Sequence, residues 1–393
     1  MKWEKIKLGE LYEVHNGLSK GRQFFGSGYP FLSFSTVFNN WFLPEILSDL
    51  VQSSDNERES YSILRGDVFI TRTSETMDEL GMSSVALNDY PNATYNGFTK
   101  RLRPIDNQRI LPEFIGYYLR CNEFRNQFVA FSTMTTRASL RNEDLLSIEV
   151  PVPPMITQRR IADILSAYDD LIENNRKQIR LLEEAAQRLY KEWFVDLRFP
   201  GHEHTKIVDG VPEGWKKERL VDIAGVQYGY AFDGSLFNSK KSGMPIIRIR
   251  NIPESQTEDY TTETADSQYL VYNGDIVVGM DGEFHINSWA GDTAYLVQRT
   301  CRIKPLNTDL NGFLLWAIYE PIKYFERTVV GATVAHLGKK HIDTIKILVP
   351  TEKFYMPFKT IFDKRLLLMN QNKKLAEARD RLLPKLMSAE EEV

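Results

Sequence analysis

The two halves of this chain repeat the same short segments in the same order, and this repetition limits its fold more than any other feature. Each half opens with a tryptophan followed by an apolar and acidic segment: Trp3 precedes Leu8–Leu11, and Trp215 precedes Leu220–Ile223. Further matches pair Gly17 with Gly229, residues 27–32 with 242–247, 64–70 with 272–278, 101–104 with 302–305, and 140–153 with 337–350. Such an ordered series indicates that one structural unit has been duplicated.

The residues between the matched segments differ between the two halves. Residues 72–77 read Arg-Thr-Ser-Glu-Thr-Met, whereas residues 280–285 read Met-Asp-Gly-Glu-Phe-His. Short apolar runs such as 68–70 and 276–278 are bounded by Gly, Pro or Asn and are typical of strands. Apolar residues at helical spacing follow Pro112 and Asn311. We therefore predict a mixed α/β fold in which each half is a twisted, β-rich globule with helices. Two modules with the same fold but different loops are suited to recognising two different targets.

A heptad pattern replaces this mixed pattern after Pro153 and Pro154. Its seam residues alternate spacings of four and three: Ile161, Leu165, Tyr168, Ile172, Asn175, Ile179, Leu182, Ala186, Leu189 and Trp193. A second, less regular seam follows the second half: Phe358, Phe362, Met369, Asn372, Ala376, Leu383 and Leu386, with Arg365 and Arg379 also falling on it. These seams predict two long coiled-coil helices, each spanning roughly 55 Å. Asn175 and Asn372 occupy matching points and could fix the register, or could be partly exposed at the seam edge.

A single chain that carries both helices pairs them most simply in antiparallel fashion. We expect two modules at opposite ends of a rod, related by an approximate two-fold axis. The predicted domains are a first recognition domain (1–154), a central spacer helix (155–198), a linker (199–211), a second recognition domain (212–350) and a C-terminal spacer helix (351–393). If the two modules contact DNA, a rod of fixed length predicts a split target whose unread spacer depends on helix length.

Composition excludes several classes of protein. With 393 residues, 42% hydrophobic and 26% charged, the chain suits two globular domains. No segment approaches the roughly 20 apolar residues of a membrane span, and the N-terminus carries charges where a signal peptide would be apolar. Two cysteines, Cys121 and Cys301, neither make a disulfide framework nor supply a zinc site. We expect a cytoplasmic protein. The net charge of −4 argues against non-specific DNA coating, although basic clusters occur at 238–250 and 100–109.

Known catalytic motifs are absent from the sequence. It has no Asp-x-Lys or Glu-x-Lys of the kind used by restriction nucleases, and Thr333 stands where a P-loop ending at Gly338-Lys339 needs its first glycine. Neither Asn-Pro-Pro-aromatic nor Asp-Pro-Pro-aromatic occurs. Residues 24–28 resemble the Phe-x-Gly-x-Gly turn that approaches S-adenosylmethionine, but the second copy keeps only Gly243, which favours a shared structural turn. We predict a chain with no catalytic residues and no metal ligands of its own.

The chain resembles the specificity subunit of type I restriction–modification systems over nearly its whole length. The similar segments in the second half are 211–215 (Val-Pro-Glu-Gly-Trp) with Leu220, 228–232, 245–252, 274–282 and 297–299. The first half departs more, because residues 33–37 (Ser-Phe-Ser-Thr-Val) replace an Arg-rich strand.

The resemblance implies a DNA-specificity role in a larger complex. It implies two target recognition domains that bind an asymmetric, bipartite double-stranded DNA target. It also implies two spacer helices that dock two methyltransferase subunits, together with restriction/translocase subunits. S-adenosylmethionine, ATP and Mg²⁺ would then belong to those partners and not to this chain. The alternatives are a specificity subunit of a methylation-only or type II-like assembly, a standalone DNA-binding nuclease, and a pure coiled-coil scaffold.

The sequence also offers candidate DNA contacts. Arg, Asn and Gln side chains hydrogen-bond to base edges, while Lys and hydroxyl side chains bind phosphates. The candidates for base contacts are Arg72, Thr73, Ser74, Arg137, Arg248, Arg250, Asn251, Asp281 and Gln298. The candidates for phosphate contacts are Lys20, Arg22, Lys100, Lys240, Lys241 and Lys339. The competing interpretation is that many of these are ordinary surface charges or strand-edge pairs.

Overall fold

The structure is a computed structural model that describes residues 3–74, 80–131, 133–134, 138–139, 141–328 and 336–388. The chain divides into two compact units. One comprises Met1–Asp170 with Ala376–Val393, and the other comprises Leu171–Leu375. We call the globular part of the first unit the first module (residues 3–154) and that of the second unit the second module (residues 207–350).

The first module combines short strands with short helices. Its strands are Glu4–Lys7, Tyr12–Asn16, Phe25–Leu32, Leu50–Val51, Val68–Thr71, Thr73–Ser74, Ser83–Val85, Thr94–Tyr95, Thr99–Pro104, Thr133–Met134, Ala138–Ser139 and Glu149–Val152. Its helices are Leu8–Leu11, Phe34–Asn39, Asp55–Ser60, Pro112–Tyr118, Asn122–Phe131 and Asn142–Ser147, with a 3-10 turn at Arg22–Phe24.

The second module has a similar make-up. Its strands are Ile207–Val208, Val211–Pro212, Lys216–Arg219, Ala224–Tyr228, Phe237–Asn238, Met244–Ile247, Tyr260–Thr261, Leu270–Val271, Ile276–Gly279, Ile286–Ser288, Ala294–Leu296, Thr300–Pro305 and Lys346–Val349. Its α-helices are Leu220–Ile223, Asn311–Ala317, Tyr319–Thr328 and Lys339–Ile342. Its 3-10 turns are Gly234–Leu236, Ile249–Asn251, Ser267–Tyr269 and Thr308–Leu310, and another, His202–His204, precedes it.

The main sheets of the two modules share one strand order. The main sheet of the first module has the antiparallel order Tyr12–Asn16, Thr99–Pro104, Val68–Thr71, Ser83–Val85. The main sheet of the second has the matching order Ala224–Tyr228, Thr300–Pro305, Ile276–Gly279, Ile286–Ser288. Each module also has a second sheet, of three strands in the first module and five in the second, with one parallel pairing, Phe31 opposite Thr94 and Ile246 opposite Tyr295. The predicted duplication and the mixed α/β class are therefore confirmed.

A Gly-Asp turn leads into the same central strand in both modules. Gly66 and Gly274 both have φ of +92°, a left-handed conformation that glycine adopts without a β-carbon clash. The following carboxylates accept backbone hydrogen bonds, Asp67 from Leu64 N at 2.8 Å and Asp275 from Tyr272 N at 2.9 Å. The turn is thus closed by the aspartate side chain, which explains why the Gly-Asp pair occurs in both copies.

Two long helices contribute to both units. The central helix, Met155–Tyr190, and the C-terminal helix, Glu352–Met387, each contain 36 residues. A single π-helical segment, Lys191–Val195, extends the central helix. In the first unit, Ile161 and Leu165 are buried in the same core as Leu383 and Leu386.

In the second unit the two helices pack with opposite chain directions. The Tyr190 ring lies 6.3 Å from that of Phe358, and Trp193 lies 5.8 Å from Phe354. Farther along, Asn175 Nδ2 donates to Asn372 Oδ1 at 2.9 Å. Residue numbers therefore rise along one helix as they fall along the other, which is an antiparallel pairing.

The two arginines on the second seam join the helices to the modules. Arg365 is 6% exposed and donates to Glu183, to Asn287 Oδ1 at 2.7 Å and to Ser288 Oγ at 2.7 Å. Arg379 pairs with Asp169 and lies 4.6 Å from the Trp41 ring. The irregularity of this seam thus has a structural cause, because a polar side chain there reaches the module beside it.

Within the described ranges, no helix combines the length and the apolar character that a bilayer span would require. The two cysteines are buried and unbonded to each other.

Candidate nucleic-acid interface

Four segments of the second module meet at one edge of its sheets. Val297 N donates to Ile247 O at 3.3 Å, where the strand ends just before Arg248. Met280 N donates to Arg299 O at 2.9 Å, and Leu337 N donates to Met280 O at 2.8 Å. These bonds gather the ends of separate strands into one surface. We call it the second-module edge, made of residues 248–251, 280–282, 297–299 and 336–339.

Arg248 and Arg250 share one carboxylate on this edge. Arg250 Nε donates to Asp259 Oδ2 at 3.2 Å and Nη2 reaches the other oxygen, while Arg248 Nη1 lies 4.0 Å from Asp259. The side chain of Arg250 is 63% exposed and that of Arg248 is 42% exposed. Asn251 Oδ1 accepts from Arg248 N at 2.8 Å, so its oxygen caps the Ile249–Asn251 turn. The two guanidinium groups are held in place yet stay open to solvent.

Asp281 holds a third arginine on the same edge. Its Oδ2 lies 3.3 Å from Arg299 Nε, and its Oδ1 contacts His336 Nδ1. Gln298 is exposed beside Arg299, and its backbone N donates to Tyr230 O at 2.7 Å. Arg299 was not among the predicted candidates, although it adjoins Gln298 in the sequence. The signal that could have identified it is its position next to the strand that matches 99–104 of the first half.

The predicted phosphate contacts of the second module occupy two places. Lys240 and Lys241 are exposed in the turn before Met244–Ile247, at the opposite end of that strand from Arg248. Lys339 lies on the second-module edge, where its Nζ pairs with Asp343 at 2.9 Å and its side chain is 70% exposed. Exposed amines of this kind suit contacts with phosphate oxygens.

The first module brings matching segments together. Asn96 N donates to Leu32 O at 3.0 Å, and Arg72 N donates to Phe98 O at 3.0 Å. The strand Thr73–Ser74 pairs with Ala138–Ser139. We call this surface the first-module edge, made of residues 33–36, 72–74, 97–98 and 138–139.

The side chains on the first-module edge differ in kind from those on the second. Ser33 caps the helix Phe34–Asn39, accepting from Thr36 N at 3.4 Å. Arg72 Nη1 donates to Asn16 Oδ1 at 3.3 Å. Thr73 and Ser74 lie on this edge through their backbone, and Arg137 lies outside the described residues. Phe98, which was not predicted, is 54% exposed.

Of the three predicted phosphate contacts in this module, two have side chains that already bond to other residues of the protein. Lys100 is 6% exposed and its amine donates to Asn142 Oδ1. Burial lowers the pKa of Lys100, and the nearby charge of Arg72 lowers it further. This burial contradicts an exposed phosphate contact, because the strand that carries Lys100 is covered on both faces. Lys20 is bonded to Glu57 at 2.7 Å and to Gln52 O at 2.6 Å, whereas Arg22 is exposed.

Other basic residues near Lys100 also serve the fold. Arg103 donates to Asp67 at 2.6 and 2.8 Å, and this hydrogen bond raises the pKa of Arg103. Arg101 donates to the carbonyl of Ser62 at 2.7 Å. The basic cluster at 100–109 therefore includes a buried network and not only a surface patch.

The geometry of the second-module edge suits the binding of a polar ligand. The second-module edge presents fixed, half-exposed guanidinium groups, which match the bidentate acceptors of a guanine edge. In the part of the chain that the structure describes, no group of three or more His, Cys, Asp or Glu side chains could hold a metal ion.

The family described as "Type I restriction modification DNA specificity domain" matches residues 1–184 and 212–364. The chain belongs to this family. Its duplicated modules with a long helix between them agree with two copies of the specificity domain. Specificity subunits of type I restriction–modification systems are non-catalytic, in keeping with the sequence prediction.

Named specificity subunits resemble this chain over nearly its full length. The type I restriction enzyme MjaIX specificity subunit of Methanocaldococcus jannaschii is 23% identical over 411 residues, covering 99% of this chain and 93% of that protein. The HindI specificity subunit of Haemophilus influenzae is 24% identical, covering 99% of both chains. The crystal structure of a type I restriction–modification S subunit from M. genitalium shares the fold, with a TM-score of 0.57, 15% identity, and coverage of 98% and 96%.

Proposed function

We propose that this specificity subunit selects an asymmetric, bipartite double-stranded DNA target, with one half-site bound by each module. The single observation that carries the proposal is the pair of matching edges with unlike side chains. Both edges are assembled by the same backbone hydrogen bonds, whereas Arg248 and Arg299 of one have Ser33 and Phe98 in the corresponding places of the other. Two copies of one fold that present different side chains would bind two different short DNA sequences.

The proposed base contacts belong to the two edges. Arg248, Arg250, Gln298 and Asn251 would face base edges in the second half-site, and Lys240, Lys241 and Lys339 would hold phosphates. In the first module, Arg72, Thr73 and Ser74 would face bases and Arg22 a phosphate. Lys100 is left out of the proposal because it is buried.

The chain would work as part of a larger complex. We propose that the paired helices dock two methyltransferase subunits, which bring S-adenosylmethionine, and that restriction/translocase subunits bring ATP and Mg²⁺. The family membership and the long helix pair support this arrangement. Co-purification of the chain with its native partners, with the subunits counted by native mass spectrometry, tests it.

The test of half-site binding uses Arg248→Ala in the full chain with its methyltransferase partners. Binding to duplexes with single base-pair changes should lose discrimination at one position in one half-site only, by about 1–3 kcal/mol. Arg219→Ala is a matched control, because Arg219 is also a surface arginine paired with a carboxylate, Asp222. Unchanged sequence preference in Arg248→Ala would contradict the assignment.

We further propose that the length of the helix pair sets the spacer between the half-sites. Inserting seven residues after Ile179, with a matched insertion after Leu368, keeps the seam in register because Asn175 faces Asn372 and Glu183 faces Arg365. Seven residues of helix add about 10 Å, or about three base pairs of DNA. A preferred spacer that does not lengthen would refute the proposal.

A further inference from the structure

In both modules one tight turn carries the chain from the second sheet into the main sheet. The turns are residues 96–99 and 297–300. In the first, Thr99 Oγ1 donates to Asn96 O at 2.7 Å. In the second, Thr300 Oγ1 donates to Val297 O at 2.6 Å. The same threonine hydrogen bond closes both turns, so they are equivalent parts of the duplicated frame.

A glycine beneath each turn fixes its position. A β-carbon on Gly17 would lie 2.1 Å from Asn96 O, and one on Gly229 would lie 2.0 Å from Val297 O. Because real β-carbons do not approach oxygen so closely, each turn rests directly on backbone. The backbone of each turn is therefore held in a fixed position against the glycine, whatever side chains the turn carries.

The third residue of each turn differs in kind between the modules. Phe98 and Arg299 are equivalent, because the carbonyl of each accepts from the end of the central strand, from Arg72 N at 3.0 Å and from Met280 N at 2.9 Å. The exposed fractions are similar, 54% for Phe98 and 52% for the Arg299 side chain. One frame thus presents an apolar ring in one module and a cation in the other.

Arg299 is kept in a conformation that its residue type disfavours. Its φ is +71°, in the left-handed region where a β-carbon is strained. Asp281 lies 3.3 Å from its Nε, and His336 Nδ1 lies 3.4 Å from its Nη1. Strain at a half-exposed side chain that neighbouring groups hold in place is typical of a binding position.

We propose that this turn position determines sequence specificity in each module, and the inference rests on the proposed function. Arg299 donates two hydrogen bonds to the O6 and N7 of a guanine in the second half-site, with Asp281 as its positioning residue. Phe98 packs against the methyl group of a thymine in the first half-site. The two turns therefore recognise different features of DNA, a guanine edge in one half-site and a thymine methyl group in the other.

The experiment selects binding sites for the full chain, with its native methyltransferase subunits, from a duplex library with a randomised core. Wild type, Arg299→Ala, Arg299→Gly and Phe98→Ala are compared, with Arg219→Ala as the control. Arg299→Gly guards against misfolding, because glycine adopts a positive φ without strain and should keep the second module close to wild-type stability.

Both Arg299 variants should lose the requirement for one G·C pair in one half-site, with discrimination at that pair falling about 5- to 150-fold. Phe98→Ala should relax one A·T position in the other half-site and leave the G·C requirement intact. Arg219→Ala should keep the wild-type motif.

Three results would overturn the inference. An unchanged motif in a folded Arg299→Gly variant would remove Arg299 from base reading. Equal weakening on all sequences, with a salt dependence reduced by about one ion, would make Arg299 a phosphate contact instead. If wild type itself selects no motif, the proposed function fails and this inference fails with it.

Discussion

The first and second modules share their frame and differ at their edges. Both rest a turn on a glycine, Gly17 or Gly229, and both close a strand-entry turn with a buried aspartate, Asp67 or Asp275. At the edges this likeness ends, because the second module exposes Arg248, Arg250 and Arg299 and the first exposes Phe98.

This difference shows which positions of a duplicated protein tolerate substitution. Positions that touch backbone or neutralise a buried charge tolerate little change, since their partners cannot move without unfolding the sheet. Positions on the edge touch mainly solvent, so their side chains can be replaced without cost to the frame. Replacing a frame residue should therefore lower stability in either module, by an amount that its local partners set, whereas replacing an edge residue should not.

The largest effect is expected from Asp67→Ala. Its carboxylate is fully buried and bonded to Arg103 at 2.6 Å, whereas Asp275 lies 3.8 Å from Arg302 and 3.9 Å from Lys304. Removing Asp67 leaves a partly buried guanidinium without its partner, which should cost about 3–5 kcal/mol. Asp275→Ala should cost less, about 1–3 kcal/mol. Urea denaturation with hydrogen exchange in each module measures both.

Asp67→Asn is the control, because its side-chain oxygen can still accept from Leu64 N, and it should lose less stability than Asp67→Ala. Equal losses for Asp67→Ala and Asp275→Ala would show that the closer ion pair adds nothing to the shared turn.

The next effect concerns the two seam arginines. Arg365→Met removes three hydrogen bonds, to Glu183, Asn287 and Ser288, and should cost about 2–4 kcal/mol. Arg379→Met should cost less, because Arg379 is more exposed, 15% against 7% for the Arg365 side chain. Thermal unfolding compares them. A larger loss for Arg379→Met would mean that its stacking on Trp41 outweighs the buried network.

The sequence predicted the frame better than the edges. The repeated sequence segments and the heptad spacing can be recognised in the sequence itself, so the duplication and the long helices could be predicted from residues alone. Arg299 and Phe98 were not predicted, because their prominence arises from a turn that crosses between sheets. Lys100 looked like a surface cation in a basic run, but its strand is covered on both faces, and strand burial depends on tertiary packing.

A smaller and equal effect is expected from Gly17→Ala and Gly229→Ala. Each new methyl group would meet a carbonyl oxygen at about 2 Å, so the turn must shift, at a cost of about 1–3 kcal/mol. Gly234→Ala is the control, because a β-carbon there meets nothing within 4 Å. Denaturation midpoints give the comparison. If only one of the two turn glycines matters, the modules do not share this support.

The smallest effect belongs to the Asn175–Asn372 pair in the second unit, where Asn175 is 7% exposed and the amide groups lie 2.9 Å apart. A double-mutant cycle with Asn175→Ala and Asn372→Ala should give a coupling of about 0.5–1.5 kcal/mol, the net worth of one hydrogen bond. Replacing both by leucine should raise stability, since two apolar side chains pack better at a seam, but should loosen the register that a polar pair specifies. Broadened spacer preference in the double leucine variant would therefore accompany higher stability. A variant that is more stable and keeps one spacer would assign register to Arg365 and Glu183 instead, because that ion pair also joins the two helices.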